Sequence, residues 1–184
     1  MIIVTHNQNK YMEYEEMFLE KGMELEWFNY EYPEIQSDSL KEIAEFSMKY
    51  VSKLINKPFF LEDTGLFIST LNGFPGPYSS YVQSKIGNKG ILKLLEGADD
   101  RNAKFISIIG FFDGKDFHFF EGVLNGQISL EEKGKNGFGY DPIFVPNGKN
   151  KTLAEMDISE KNAISHRKNA LDKMIDYLRK NILY

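Results

Sequence analysis

Two adjacent carboxylates, Glu62 and Asp63, close a short aromatic and aliphatic run, Phe59-Phe60-Leu61, of the kind that forms a buried strand. Ionised acids avoid the interior unless paired, hydrogen-bonded or metal-bound, so the pair is expected at the rim of a cleft rather than in the core. Side chains alternate faces along a strand, so both acids face that cleft only if Thr64-Gly65 already turns the chain; otherwise one works and the other supports it. Asp63 with Glu34 could hold a hard divalent ion such as Mg2+, which takes carboxylate oxygens, water and substrate phosphates and often needs just one or two protein ligands. Glu34 lies on the extended link Tyr32-Pro33-Glu34-Ile35-Gln36, where, taken alone, an ordinary surface acid is the more usual reading.

Three further groups of residues could bind a ligand. Thr5, Asn7 and Lys10 bring hydroxyl, amide and ammonium donors to the junction of a strand and a helix, a layout that offers backbone N–H groups to an anion. Helix capping by Asn7 and a solvated Lys10 explain the same residues without a ligand. Phe138 and Tyr140, set among glycines, could offer a ring for a base to stack on, or could be core. Lys161, Ser165, His166 and Arg167 form a donor-rich cluster at a helix start, where cations oppose the helix dipole and an anionic or keto-bearing ligand would give them a reason. Neither a Walker loop nor a Gly-x-Gly-x-x-Gly fingerprint occurs, and His6, His118 and His166 are too scattered for a zinc motif.

The rest of the chain supplies elements to position these groups. Its 184 residues suffice for one domain with a substantial core, or for two lobes sharing one sheet. A formal charge of -5 argues against duplex nucleic acid as a partner, and the lack of cysteine excludes disulfides, thiolate metal sites and cysteine nucleophiles. No apolar segment reaches membrane-spanning length and no basic region precedes the first apolar run, so a soluble cytoplasmic protein is expected, with no membrane partner.

Met1 to Val4 reads as a buried strand, followed by a polar turn and a helix to about Glu20 with Met12, Tyr14, Met17 and Phe18 on its apolar face. Leu25 to Phe28 is a second strand. Ser39-Leu40-Lys41-Glu42 matches a capping box, opening a helix that turns Leu40, Ile43, Ala44, Ser47, Val51 and Leu54 to the core. Asn72 to Pro77 forms a stiff loop, and two short helices, Ser80 to Lys85 and Asn88 to Glu96, are separated by Gly87. Ala103 to Phe112 and Asp116 to Val123 pair as a hairpin around Asp113-Gly114, with a further strand over Gln127 to Leu130. Lys133 to Gly139 is a basic glycine-rich loop, and Ser165 caps a last helix whose Ala170, Leu171, Met174, Ile175 and Leu178 recur at helical spacing. One α/β domain over residues 1–184 is expected, with the hairpin region as a candidate second lobe.

Five blocks together carry a family resemblance: THNQNK at Thr5, PEIQ at Pro33, EDTGLFISTLNGFPGPYSSY at Glu62, GFGYDPIF at Gly137 and AEMDISEKNAISHR at Ala154. In this order, across almost the whole chain, they resemble the inosine triphosphatase family, the XTP/dITP pyrophosphatases. The resemblance implies an elongated mixed central β-sheet flanked by helices, two lobes with an active-site groove between them, and a homodimer. It implies Mg2+-dependent hydrolysis of deaminated purine nucleoside triphosphates (ITP, dITP, XTP) to the monophosphate and pyrophosphate, removing them from the nucleotide pool.

Carried over by residue, Thr5, His6, Asn7, Gln8, Asn9 and Lys10 would hold the triphosphate, Glu34 and Asp63 the metal, and Asp63 would activate water. Thr64 keeps the hydroxyl of a common serine. Phe138, Gly139, Tyr140 and Asp141 match the aromatic and acidic base-site block, and Lys161, His166 and Arg167 the base-recognition block. His6 replaces a common glycine, which would stiffen the phosphate turn, and Phe46 stands on the helix where many members carry a phosphate-reaching lysine. A catalytically silent nucleotide-sensing module would keep the pocket without turnover; intact Glu34, Asp63 and Lys10 count against it. A pyrophosphatase for modified pyrimidine nucleotides is disfavoured by the Ser165-His166-Arg167 block.

Overall fold

A computed structural model describes residues 1–181. Three apolar residues, Ile2–Val4, form β1, and Thr5-His6-Asn7 leads into α1, Gln8–Glu20. β2 is Glu26–Phe28, α2 Leu40–Val51 and β3 Phe59–Ile68. After a short 3-10 turn come β4, Pro75–Gly76, and α3, Ser79–Leu94. The long strands β5, Asn102–Phe112, and β6, Phe117–Ile128, precede β7, Phe144–Pro146, then α4, Ile158–Ile164, and α5, His166–Asn181.

The strands form one mixed sheet in the order β2-β1-β3-β5-β6-β7, with β4 beside β3. β1 runs parallel to β2 and β3, with Ile2 opposite both Glu26 and Phe59, whereas β3–β4 and β6–β7 are antiparallel. The chain divides into two compact units: Met1–Asp63, Ser107–Gly122 and the segment from His166 onward form the first, Thr64–Ile106 and Val123–Ser165 the second.

In the first unit, Tyr14, Met17 and Phe18 of α1, Phe60 of β3, Ile109 and Phe111 of β5, and the Ala170, Leu171, Met174, Ile175 and Leu178 stripe of α5 make one core cluster. Phe60 is central to it, stacked on Phe18 at 5.8 Å and meeting Tyr14 edge-on at 5.2 Å. α5 approaches β6 so closely that a Cβ on Gly122 would stand 2.0 Å from the His166 carbonyl oxygen, so only glycine fits there. The core of the second unit gathers Leu66 and Ile68, Val82 and Ile91 of α3, Phe105, Ile128, Phe144 and Leu153.

Several expectations are corrected. β3 does not end at the acid pair but runs through Glu62-Asp63-Thr64-Gly65 to Ile68, and both carboxylates are buried, 3% and 6% exposed, rather than at a rim. The separate strand over Gln127 to Leu130 is instead the end of β6, and Leu130 is exposed. On α2, Met48 joins the buried face and Leu54 lies exposed beyond the helix end. Ser39 caps α2 by accepting from the Glu42 N–H, but the return arm passes through Ser37, whose hydroxyl accepts the Ser39 N–H and donates to the Glu42 carboxylate. α3 is broken at Gly87, whose φ of 60° is non-helical, as the two-helix reading requires. α4, a short helix not expected from the sequence, is capped by Asp157, which accepts from the Glu160 N–H.

Candidate active site

The turn between β1 and α1 is organised by its own side chains. Thr5 Oγ1 accepts the Asn7 N–H at 3.1 Å, and Asn7 Oδ1 accepts the N–H groups of Asn9 and Lys10 at 3.0 and 3.3 Å, so Asn7 is the helix cap. His6, Gln8 and Asn9 are exposed on this turn. Among the described residues Asn72 is the non-glycine residue with positive φ, so His6 adopts ordinary backbone and the turn does not need the glycine it replaces. Lys10 is not simply solvated: its ammonium bonds the Glu62 carbonyl at 2.8 Å and pairs with Glu62 Oε2 at 2.9 Å.

β3 delivers the two acids to different electrostatic fates, as strand alternation demands. Glu62 is enclosed by donors: Lys10, the Ser107 hydroxyl at 2.6 Å on Oε1, and Arg167 Nε at 3.6 Å. Asp63 lacks such compensation, and its buried Oδ2 has no hydrogen-bond partner. Burial pushes its carboxyl up to about 7, with Lys10 opposing and Glu34 and Glu62 adding to the rise. The Tyr32 phenol is raised well above its ordinary value, first by burial and then by Asp63, Glu34 and Glu62, which places the 32–34 link in the field of the acid pair.

A dry, under-neutralised carboxylate with a second acid in its field is the donor set that a hard divalent cation completes. Asp63 and the exposed Glu34 can therefore hold such an ion with water and phosphate oxygens. The described residues contain no cluster of three or more His, Asp or Glu that would hold a metal without a ligand's help.

Arg167 and His166 open α5 and are buried in the first unit. Arg167 Nη1 donates to Glu13 Oε2 at 3.2 Å and contacts His166 Nε2 at 3.1 Å. Lys161, in the last turn of α4 in the second unit, is nearly inaccessible. Its ammonium pairs with Asp141 Oδ2 at 2.5 Å and lies 4.9 Å from the Phe138 ring centroid, while the Phe138 N–H donates to the same Asp141 oxygen at 2.7 Å. Asp141 thus fixes both an aromatic ring and a cation above it. Tyr140, by contrast, is core, its hydroxyl donating to the Ser79 carbonyl at 2.8 Å, and burial pushes that phenol up. The Gly139 carbonyl accepts from Gln83 Nε2 at 3.0 Å and Asn88 Nδ2 at 3.1 Å. Thr64 follows Asp63 on β3, half-buried, at the start of the second unit.

The site residues that sequence reasoning missed are Glu13, Ser107, Gln83 and Asn88. Glu13 carries a signal: it lies four residues before Met17 on the buried face of α1, whereas Met12, expected on that face, is 48% exposed. A cavity of about 540 Å³ in the second unit, lined by Phe67, Asn102, Lys104, Asn125 and Asn147 among others, contains none of the candidate residues.

Residues 1–177 match the Ham1 family model. A dITP/XTP pyrophosphatase of Pyrococcus horikoshii is 48% identical, the alignment covering 100% of this chain and 99% of that protein. A second dITP/XTP pyrophosphatase, from Methanopyrus kandleri, is 46% identical over 99% of this chain and 97% of its own. A solved HAM1 protein structure from Coxiella burnetii matches with a TM-score of 0.81 at 33% identity, covering 98% of this chain and 99% of that one.

Proposed function

The chain belongs to the Ham1 family, and we propose that it hydrolyses deaminated purine nucleoside triphosphates, ITP, dITP and XTP, to the monophosphate and pyrophosphate. The observation that carries this reading is Asp63, a buried carboxylate with an unpartnered oxygen, on the strand whose preceding residue anchors Lys10.

Glu62 holds the Lys10 ammonium through a hydrogen bond to its carbonyl and an ion pair with its carboxylate, which leaves the ammonium a donor to spare for a phosphate oxygen. Asp63, pushed up to about 7, is a stronger base than an ordinary carboxylate and is ionised above neutrality, so it can orient a water and take its proton. The water oxygen bonds the α-phosphorus, the bond between that phosphorus and the α,β-bridging oxygen breaks, and pyrophosphate departs with that oxygen, its charge shared by Lys10 and the 5–10 turn. A divalent cation, Mg2+ in this reading, would be held by Asp63 and Glu34; when bound it supplies charge neutralisation and polarisation of the phosphate oxygens.

Phe138 offers a stacking face, and Lys161, His166 and Arg167 bring only or mainly donors, which suit the keto oxygen of a deaminated base. The same proposal includes a cytoplasmic homodimer joined through the 74–81 stretch, where Phe74, Tyr78 and Tyr81 are exposed, while the neighbouring Val82 is buried in its own core. Purified protein given ITP, XTP, ATP and GTP with and without MgCl2 tests the reading: metal-dependent release of pyrophosphate from ITP and XTP is expected, and equal turnover of ATP would refute the selectivity.

A further inference from the structure

We infer that Trp27 is a positioning residue for the phosphate-binding turn, clamping both of its ends to β2. Trp27 is the sole tryptophan of the chain. Its indole Nε1 donates to the Thr5 carbonyl at 2.8 Å, and its ring stacks on Tyr11 at 4.6 Å with an interplanar angle of 8°. Thr5 opens the turn and Tyr11 follows Lys10 at its far end, so one side chain ties down the entry by a hydrogen bond and the exit by a stacked ring. The β1–β2 ladder ends at the Val4 and Phe28 pair, and the Thr5 N–H still reaches the Phe28 carbonyl at 3.3 Å. β2 therefore holds Thr5 from both backbone directions.

From Thr5 the constraint passes along the turn. Its hydroxyl accepts from Asn7, and the Asn7 carboxamide accepts from Asn9 and Lys10, so the first link in this relay is the residue that the indole fixes. With exposed His6 and no glycine between β1 and α1, the turn is kept in one conformation by these contacts. A half-buried tryptophan on an edge strand is often only packing. Packing would use the ring, whereas the geometry here also uses the N–H.

Trp27→Phe separates the two, since it keeps a ring for Tyr11 and deletes the donor. The inference rests on the reading that the 5–10 turn holds the substrate's phosphates. Inorganic pyrophosphate with MgCl2 is therefore the probe, measured by calorimetry on wild type, Trp27→Phe and Lys10→Met, beside steady-state ITP hydrolysis and melting temperatures. The expected result is a roughly threefold to tenfold weaker pyrophosphate Kd in Trp27→Phe, matched by the same factor in kcat/KM for ITP, the scale of one lost hydrogen bond. A lowered melting temperature with unchanged pyrophosphate affinity would overturn the inference and leave Trp27 as packing. If Lys10→Met also binds pyrophosphate normally, the phosphate-turn reading itself falls, and this inference with it.

Discussion

Glu62 and Asp63 are chemically similar neighbours, yet one is surrounded by Lys10, Ser107 and Arg167 while the other keeps a buried oxygen unpartnered. An asymmetry of this kind is costly to folding and useful to chemistry. Asp63→Asn and Glu34→Gln are each expected to fold and to lose most turnover; near-normal kcat in Asp63→Asn at saturating MgCl2 would remove Asp63 as the base. The cost is measurable separately in metal-free protein. Folded Asp63 keeps its proton up to about pH 7, whereas the unfolded chain releases it near 4. The native state thus binds the extra proton between those values, and stability falls as pH rises through that window. In EDTA at about pH 8, Asp63→Asn should therefore melt several degrees above wild type, with the gap closing near about pH 4; equal melting at both would show that the burial cost is absent. Arg167 is 3% exposed and serves Glu13 and Glu62, so Arg167→Ala should cost about 3 to 5 kcal/mol in urea denaturation, as a broken buried pair does. If Arg167 also reads the base, the same variant narrows the ITP to ATP ratio of kcat/KM, and an unchanged ratio would confine it to a structural role.

At the scale of elements, the contact between β6 and α5 sets where His166 and Arg167 begin. Gly122→Ala would drive a methyl into the His166 carbonyl oxygen and to 2.4 Å from the Ala170 nitrogen, atoms that cannot give without moving the helix. We expect a loss of at least about 1 to 3 kcal/mol, with kcat/KM falling as well, checked by chemical denaturation and ITP turnover; wild-type stability would mean that the approach is looser than it stands. The α1, α3 and α5 readings succeed because periodicity, Gly87 and the Ala170 to Leu178 stripe are local signals. The β3 reading fails at Glu62 because two acids look like a strand end, and their partners, Lys10, Ser107 and Arg167, are distant in sequence. Tyr140, which the sequence leaves open between a ligand ring and core, is buried, its hydroxyl finding the Ser79 carbonyl far away in sequence. Trp27 gave no sign at all, since a strand tryptophan declares its ring and not its hydrogen bond.

For the whole molecule, the exposed rings of Tyr78 and Tyr81 beside Phe74 are the proposed self-contact. Tyr81→Glu, at a residue 65% exposed, should leave the fold intact and give a monomer at micromolar concentration in sedimentation equilibrium. A monomeric wild type would refute the contact. The central claim, that this chain directs water to the α-phosphorus of a deaminated purine triphosphate, is tested most directly by hydrolysing ITP in 18O-water with MgCl2 and weighing both products. The account predicts one 18O in inosine monophosphate and none in pyrophosphate. Label in pyrophosphate, or inosine diphosphate with phosphate as the products, would contradict it.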